Sequence, residues 1–266
     1  MISFRDFVNA YRELGLNTTQ PVIVHASLSA VGEIRGGAET VLGALLPAVK
    51  GVMAPTFTYK TMITPEIGPD NNAIEYGTGK DTNRLAEFFL PEMPADILMG
   101  RLPETLRKHP LACRSSHPIL SFAGVHVEDA LATQTIEDPL APICHLAKDN
   151  GAVLLIGVDH TVNTSIHYAE KLANRKQFVR WALTPLGVRE CPGFPGCSDG
   201  FEQAATYLSP ITRTARVGGA TLRLIPLSPM LITITELLRR EPTALLCQRE
   251  DCRCNTVRQA IMAHKI

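Results

Sequence analysis

Apolar residues recur every three or four positions close to the N-terminus, which is the spacing of an amphipathic helix. This helix is predicted over residues 4–14, with Ser3 as its N-cap. Two short apolar runs at 21–25 and 51–55 are typical of buried strands, and a helical pattern at 38–46 lies between them. A strand, a helix and a strand form a crossover unit, which favours a parallel sheet covered by helices. We therefore predict an α/β fold, an α/β/α sandwich with a mainly parallel central sheet.

The rest of the chain continues this alternation with longer interruptions. Residues 56–80 are rich in Pro, Gly and Asn and are predicted to form a long functional loop. Prolines and glycines also crowd residues 184–198, where we predict irregular structure. Further predictions are strands at 119–122 and 153–158, an apolar run at 221–226, and helices at 164–174 (Thr164 as N-cap), 230–240 and 257–264. No repeat divides the chain, so we interpret residues 1–266 as one domain with an irregular, Cys-containing C-terminal portion.

The predicted helix at 164–174 carries the most informative polar pattern. His167 and Glu170 stand three residues apart, so they lie on one face near the helix start. Ligands of open parallel sheets bind at the carboxyl edge of the strands, where this helix begins. A carboxylate beside an imidazole fixes the tautomer and stabilises the protonated ring, as a general base requires. The alternative is an ordinary His–Glu pair on a helix surface.

Two further segments have the residue types of an anion site. The loop at 25–37 leaves a strand and enters a helix, and its small hydroxyls, glycines and Arg35 would let backbone N–H groups approach a pyrophosphate. A plain strand-to-helix turn capped by serine is the alternative. The turn at 114–118 combines an arginine, two serines and a histidine, and its alternative is a solvated turn.

Five sequence blocks occur in the order found in the aminoglycoside 3-N-acetyltransferase family, which this chain resembles most strongly over residues 1–185. The blocks are HASLSAVG at 25–32 followed by GGA at 36–38, APTFT at 54–58, MGRLPE at 99–104, RSSHP at 114–118 with SFA at 121–123, and NTSIHYAE at 163–170. The resemblance implies an α/β/α fold and direct transfer of an acetyl group from acetyl-CoA to an amine. The acceptor it implies is the 3-amino group of an aminoglycoside antibiotic or the amine of a related amino sugar, which suggests a role in antibiotic resistance.

The resemblance also assigns residues to roles. It makes His167 the general base and Glu170 the carboxylate that orients it or meets the ammonium groups of the acceptor. Many members of the family have Asp where Thr161 stands; here either Asp159 reaches that place or the carboxylate has been lost. The residues assigned to CoA are His25, Ser27, Leu28, Ser29, Val31, Gly32, Arg35, Thr56, Thr58, Arg114, Ser115, Ser116 and His117. The residues assigned to the acceptor are Glu66, Asp70, Glu75 and Glu104.

Composition narrows the range of partners. The 266 residues include 26 Lys+Arg and 26 Asp+Glu, so the chain lacks the positive surplus expected of a nucleic-acid-binding protein. It equally lacks an acidic surplus for a polycation, so the acceptor is less positively charged than an aminoglycoside or the acids are concentrated at one cleft. No apolar stretch approaches the roughly 18 residues of a membrane helix, and the first residues lack a signal-peptide pattern. We therefore expect a cytoplasmic protein without a membrane partner.

Seven cysteines occur in the chain, five of them after residue 190. These five are Cys191, Cys197, Cys247, Cys252 and Cys254. Thiols at short spacings can hold a structural zinc ion, and free or packed thiols are the alternative. The alternative to an enzyme is a non-catalytic CoA-binding or sugar-binding descendant, or a zinc-stabilised structural protein.

Overall fold

The computed structural model describes residues 1–263. Within this range, short apolar runs form the strands of the fold. The strands are β1 (Val22–Ala26), β2 (Val52–Pro55), β3 (Met62–Ile63), β4 (Cys113–Arg114), β5 (Phe122–Val125), β6 (Ala152–Ile156), β7 (Phe178–Thr184), β8 (Gly187–Phe194), β9 (Arg213–Val217) and β10 (Ala220–Pro226). Within the described range seven of them form one sheet in the order β4-β5-β2-β1-β6-β10-β9. The other three form a small sheet in the order β3-β7-β8.

Parallel pairing occupies the centre of the large sheet. Val22 of β1 lies opposite Val52 of β2 on one side and Ala152 of β6 on the other, and both pairs run parallel. The flanking strands β4, β5, β9 and β10 pair antiparallel. The predicted parallel sheet is therefore confirmed at its centre, and antiparallel strands extend it at both edges.

Helices cover both faces of this sheet. The α-helices are α1 (Phe4–Glu13), α2 (Leu28–Val31), α3 (Gly37–Leu45), α4 (Arg101–Arg107), α5 (Glu128–Ala132), α6 (Ala141–Lys148), α7 (Ser165–Leu172), α8 (Ala205–Leu208), α9 (Leu227–Arg240) and α10 (Cys254–Ala263). Short 3-10 turns lie at Leu46–Ala48, Tyr59–Thr61, Asn83–Leu85, Ile97–Met99, His160–Val162, Phe201–Ala204 and Ser209–Ile211. None of the helices in residues 1–263 has the length and apolar character needed to cross a bilayer.

Side chains that alternate along the central strands build two cores. Val22 and Val24 of β1 pack in one core with apolar residues of α1, α3 and α4. Ile23, which points to the opposite face, packs in the other core with residues of α5, α6, α7 and α9. Because successive strand residues face opposite sides, strands buried on both faces read as continuous apolar runs. The predicted α/β/α sandwich is confirmed.

The prediction of irregular structure at 184–198 is wrong. Phe178–Thr184 and Gly187–Phe194 form an antiparallel hairpin, with Leu183 opposite Val188 across a tight turn. Gly187 has a φ of 106°, a value that favours glycine, and Pro192 is tolerated because β8 is an edge strand of the small sheet. Prolines in this segment therefore mark an edge strand and not the absence of a strand.

Several element boundaries also differ from those predicted. The strand predicted at 119–122 begins only at Phe122, because the N–H groups of Ile119 and Leu120 donate to Nδ1 of His117. Thr164 is the N-cap residue of α7, as predicted, but its side chain makes no capping hydrogen bond; the side chain of Asn163 accepts from the N–H of Ser165 instead. The last helix starts at Cys254, three residues earlier than predicted, and position 264 of that prediction lies outside the described residues.

The carboxyl ends of β1 and β6 lie side by side, and the candidate site lies just beyond them. The N–H of Ser27, just after β1, donates to the carbonyl oxygen of Ile156 at 2.9 Å. Gly157, just after β6, has a φ of 63°, and a Cβ there would come 2.8 Å from the Cβ of Ala30. A residue without a side chain is therefore needed for the two loops to pack this closely.

Two Gly→Ala substitutions should distinguish the effect of close backbone packing on stability from the effect of helix propensity. In Gly124→Ala the added Cβ overlaps the carbonyl oxygen of Val52 and the side chain of Val127, so we expect a loss of about 2 kcal/mol in unfolding free energy. The control Gly43→Ala lies in α3 with its Cβ 3.8 Å from Phe4, and should stabilise by up to ~1 kcal/mol. Urea unfolding measures both values. Equal effects of the two substitutions would contradict the packing argument.

Candidate active site

A cavity of about 910 Å³ lies beyond the carboxyl ends of β1 and β6. Its walls come from the loop after β1, the loop before α4, the start of α7, the end of β8 and the segment that precedes α10. The lining includes His25, Ser27, Leu28, Ser29, Phe57, Tyr59, Met99, Arg101, Thr161, Asn163, Thr164, His167, Phe194, Pro195, Cys197, Asp199, Arg249, Asp251, Cys252 and Arg253.

His167 stands at the base of this cavity in a chain of charged hydrogen bonds. Its Nδ1 lies 2.7 Å from Oε2 of Glu170, and the other oxygen of that carboxylate accepts from Arg175 at 2.8 Å. Arg175 also donates to the carbonyl oxygens of Pro242 and Ala244. The carboxylate accepts only, so Nδ1 carries the proton, and Nε2 of His167 is the nitrogen left for the cavity.

The charges of His167 and Arg175 keep the buried carboxylate of Glu170 ionised. Glu170 is only 4% exposed and Arg175 only 8%. Burial opposes the ionisation of Glu170, but the hydrogen bonds and positive charges of His167 and Arg175 outweigh it and hold the pKa of Glu170 below its usual value. The carboxylate is therefore ionised at neutral pH, and it fixes the tautomer of His167 and stabilises the protonated ring. The structure thus allows His167 to take a proton from a bound group and return it.

Packing around His167 fixes its position. The ring lies 4.7 Å, centroid to centroid, from Phe201, which is fully buried. Arg175 follows the end of α7, and its N–H donates to the carbonyl oxygen of Glu170 at 2.9 Å. Sequence reasoning missed both Phe201 and Arg175. The available signal for Arg175 was its position, because this arginine shortly follows a helix that carries a buried carboxylate.

Asp159 does not take part in this chain of hydrogen bonds. Its carboxylate accepts from the N–H of Thr161 at 2.9 Å and from the Thr161 hydroxyl. Asp159 lines a smaller cleft beside the main cavity, together with Arg223 and Gly219. Partial burial opposes its ionisation, but the Thr161 hydrogen bonds outweigh this effect and lower its pKa. The structure therefore brings Glu170, and not Asp159, to His167.

The residues predicted to bind CoA are divided between the cavity and the protein interior. His25, Ser27, Leu28 and Ser29 line the cavity, and the hydroxyls of the two serines lie 3.0 Å apart. Burial lowers the pKa of His25 to about 3, so its ring is neutral. The structure does not place Val31, Gly32 and Arg35 in the lining; Val31 is buried, and the other two are exposed.

The remaining residues assigned to CoA hold loops together instead of lining the cavity. They are Thr56, Thr58 and the turn at 114–117. Thr58 donates to the carbonyl oxygen of Pro118 at 2.7 Å, and Thr56 donates to that of Ser121 at 3.1 Å. Arg114 donates to the carbonyl oxygens of Thr56 and Pro91 and to the Ser121 hydroxyl. Ser115 and His117 are buried beside it, and Ser116 is exposed.

None of the four acids predicted to bind the acceptor lines the cavity. Glu66, Asp70 and Glu75 are exposed on the long loop. Glu104 lies in α4, where it pairs with Arg107 at 2.7 Å and with Lys108 at 3.1 Å. Partial burial opposes ionisation of Glu104, but these hydrogen bonds and charges lower its pKa to about 2. Its carboxylate is already neutralised within the helix.

Four of the five late cysteines come together, and the fifth does not. The Sγ atoms of Cys197, Cys247, Cys252 and Cys254 all lie within 4.8 Å of one another. Cys191 is buried elsewhere on β8, with its Sγ 3.6 Å from the carbonyl oxygen of Arg189, and burial raises its pKa to about 12. The expectation that Cys191 belongs to a metal site with the other four is not supported by their positions.

Known proteins share this fold and much of this sequence. A family model described as aminoglycoside 3-N-acetyltransferase matches residues 23–239. Aminoglycoside N(3)-acetyltransferase VII of Streptomyces paromomycinus is 35% identical over 181 residues, which cover 62% of this chain and 60% of that protein. Aminoglycoside N(3)-acetyltransferase IX of Micromonospora chalcea is 33% identical, over 64% of this chain and 62% of that protein. These matches span about three fifths of the length of the curated relatives.

Solved structures extend the likeness over nearly the whole chain. The apoenzyme structure of aminoglycoside acetyltransferase AAC(3)-IVa has a TM-score of 0.76 and 22% identity, with 97% of each chain covered. The YokD protein of Bacillus subtilis also has a TM-score of 0.76, with 23% identity, 91% of this chain and 100% of that chain covered. At these identities the two structures support the fold.

The ionised state of Glu170 predicts an acid-sensitive stability. A folded pKa below the unfolded value stabilises the protein above pH about 4.3, and this contribution is lost as the pH falls through the folded pKa. Glu170→Gln should therefore cost about 3 kcal/mol near neutral pH and clearly less near pH 3.5. Chemical unfolding at both pH values measures this, with the exposed Glu33→Gln as control. A cost that does not change with pH would contradict an ionised Glu170.

Proposed function

The chain belongs to the aminoglycoside 3-N-acetyltransferase family, and on that premise we propose that it transfers the acetyl group of acetyl-CoA to an amine. The acceptor is the 3-amino group of an aminoglycoside or the amine of a related amino sugar. The observation that carries the proposal is the chain of hydrogen bonds from Arg175 through Glu170 to His167, which lines a cavity of about 910 Å³. We place the reaction in the cytoplasm, and acetylation of an aminoglycoside there would confer resistance.

His167 supplies the proton transfers that this reaction needs. Nε2 of His167 takes a proton from the neutral amine as its nitrogen attacks the thioester carbonyl. The C–N bond forms, the C–S bond then breaks, and the proton on His167 passes to the departing CoA sulfur. Glu170 stabilises the protonated ring between these two steps. An amine is nucleophilic once deprotonated, so positioning and one base suffice, and no acyl-enzyme is required.

We assign the two substrates to different parts of the cavity wall. Ser27, Leu28 and Ser29 line one end, which agrees with the residues assigned to CoA from the family resemblance. Tyr59 and Phe194 line another part of the wall. His167 lies at the base of the same cavity, where the amine and the thioester must meet. We therefore assign the Ser27 end to the donor and the Phe194 wall to the acceptor.

Replacement of His167 should remove the reaction and leave CoA binding in place. His167→Asn retains a side-chain amide for Glu170 but offers no base, so we expect kcat to fall by about 10²–10⁴-fold. The measurement is release of CoA thiol with a panel of aminoglycosides and amino sugars, together with calorimetric binding of CoA.

The exposed His126 provides the control, as His126→Asn should retain full activity. Full activity of His167→Asn would exclude His167 as the base. Binding of CoA without turnover on any amine would favour a non-catalytic CoA-binding protein.

We further propose that Cys197, Cys247, Cys252 and Cys254 bind one structural zinc ion. Tetrahedral zinc with bonds of about 2.3 Å to thiolates separates the sulfur atoms by about 3.8 Å. The Sγ atoms of Cys197 and Cys247 lie 3.9 Å apart, close to that spacing and far too distant for a disulfide. Burial raises the pKa of Cys197 and raises that of Cys254 to about 12, whereas hydrogen bonds from the Cys254 N–H and the other thiols outweigh burial at Cys252 and lower its pKa. One ligand is therefore readily deprotonated.

Metal analysis tests the zinc proposal directly. The purified protein should contain about one zinc ion per chain, and cobalt substitution should give the spectrum of tetrahedral thiolate coordination. Cys252→Ser should lose the metal and lower the melting temperature, because zinc binding contributes to folding. Cys113→Ser, at an exposed cysteine outside the cluster, should retain both. A fully stable protein that contains no metal would overturn the proposal.

A further inference from the structure

The carboxylates of the cavity lining do not outnumber its guanidiniums. Within residues 1–263 the lining has two carboxylates, those of Asp199 and Asp251, and both pair with Arg249, at 3.0 and 3.3 Å. Arg101 and Arg253 also line the cavity. These ionised side chains alone therefore leave the lining slightly positive. An acceptor with several ammonium groups would gain no net attraction from them.

The cysteine cluster adds negative charge to this lining when it holds zinc. Cys197 and Cys252 line the cavity and are partly exposed, and their Sγ atoms lie within 4.8 Å of each other and of those of Cys247 and Cys254. Zinc binds cysteine as the thiolate, so four thiolates around one Zn²⁺ carry two negative charges in excess. This charge belongs to the C-terminal wall of the cavity, which residues 194–199, 249 and 251–253 of the lining form.

Both carboxylates of the C-terminal wall are attached to zinc ligands. The N–H of Asp199 donates to Sγ of Cys197 at 3.3 Å, and Asp251 directly precedes Cys252 in the chain. The side chains of Asp199, Asp251 and Arg249 are each at least 48% exposed. Ion pairs this exposed contribute little to stability, so an ammonium group can replace the guanidinium of Arg249 at low cost.

Two further guanidiniums make the sign of this wall depend on the metal. Arg253 and Arg180 lie 5.5 and 5.0 Å from the centroid of the Phe194 ring, and neither pairs with a carboxylate within residues 1–263. With four protonated thiols these two cations leave the wall positive. Zinc-bound thiolates offset both of them, and the second carboxylate of the pair that shares Arg249 is then a surplus negative charge.

The donor end of the cavity has the opposite charge. Arg101 follows Gly100, at which an added Cβ would lie 3.5 Å from the carbonyl oxygen of Ala26, next to Ser27. CoA is a polyanion, so its phosphates are attracted to Arg101 and repelled by a negative C-terminal wall. The two ends therefore distinguish an anionic donor from a cationic acceptor.

We propose that zinc-bound Cys197 and Cys252 give the C-terminal wall its negative charge, and that this wall, through Asp199 and Asp251, binds the ammonium groups of a polyamine acceptor. The inference rests on the proposed acetyl transfer and on the proposed zinc site, and it names the residues that select the acceptor. They take the place of the four acids assigned from the family resemblance, which lie outside the cavity. Zinc then determines specificity as well as stability.

Cysteine-to-histidine variants remove charge and keep the metal. In Cys252→His and in Cys197→His three thiolates and one neutral imidazole still bind zinc tetrahedrally, with one negative charge fewer. At low ionic strength we expect KM for the tetra-amine neamine to rise about tenfold, and KM for glucosamine, which has a single amine, to rise at most about twofold. KM for acetyl-CoA should not rise. A damaged fold would raise all three, and metal analysis shows that each variant retains its zinc.

A carboxylate variant and added salt test the same charge without a change of metal ligand. Asp251→Asn, at an exposed side chain, should raise KM for neamine about three- to tenfold. Roughly 0.5 M salt should reduce each of these effects to about twofold, because the charges are then screened. Cys113→His, at an exposed cysteine outside the cluster, is the matched control and should leave every KM unchanged. An unchanged KM for neamine in the histidine variants that retain zinc overturns the proposal.

Equilibrium binding distinguishes failure of this proposal from failure of the proposed function. Calorimetry with neamine, in the presence of CoA, should show binding that Cys252→His weakens about tenfold. If no amine is acetylated but this charge-dependent binding persists, the acetyl-transfer activity is wrong and the charged wall stands. If neamine is acetylated but the purified protein contains no zinc, or both histidine variants bind neamine as the unmodified protein does, the charged wall is wrong and the activity stands.

Discussion

A single buried carboxylate, that of Glu170, joins the parts of this molecule that must act together. A negative charge that is only 4% exposed is stable only with positive or donor partners on both oxygens, and His167 and Arg175 supply them. Arg175 in turn donates to Pro242 and Ala244, beyond the end of α9. The bond that orients the base is therefore part of the same network that attaches the C-terminal portion to α7.

That attachment matters because the C-terminal portion builds one wall of the cavity. Cys252 and Arg253 precede α10 and line the cavity, and Cys247 and Cys254 bring this segment to Cys197 at the end of β8. Without the cysteine cluster, little regular structure holds residues 241–253 against β8. The position of this wall then depends on two attachments, Arg175 at one end of this segment and the four thiols at the other. Both are made by side chains from distant parts of the chain.

The separation of contacting residues along the chain explains which features could be predicted from the sequence. The pair His167 and Glu170 is local, three residues apart on one helix, so its spacing is visible without a structure. Arg175 was missed because the carbonyl groups that fix it lie 67 and 69 residues away. The β8 strand was missed because its prolines suggested a loop, whereas an edge strand accepts them. Family resemblance likewise assigned Glu66, Asp70 and Glu75 to the acceptor, but exposed side chains on a long loop take directions that residue type does not determine.

The His167–Glu170 pair and the C-terminal wall of the cavity are therefore held by different parts of the chain. His167 and Glu170 stand on a helix packed into the core, where a change of charge is costly, so the chemistry is hard to alter. Arg249, Asp251 and Arg253 stand on an irregular segment, where each substitution changes the charge of the cavity at little cost to folding. The exact balance of 26 acidic and 26 basic residues conceals this local arrangement, in which Asp199 and Asp251 share one cation, Arg249. Within this fold, the pair on α7 and the charges of the cavity wall can therefore change separately.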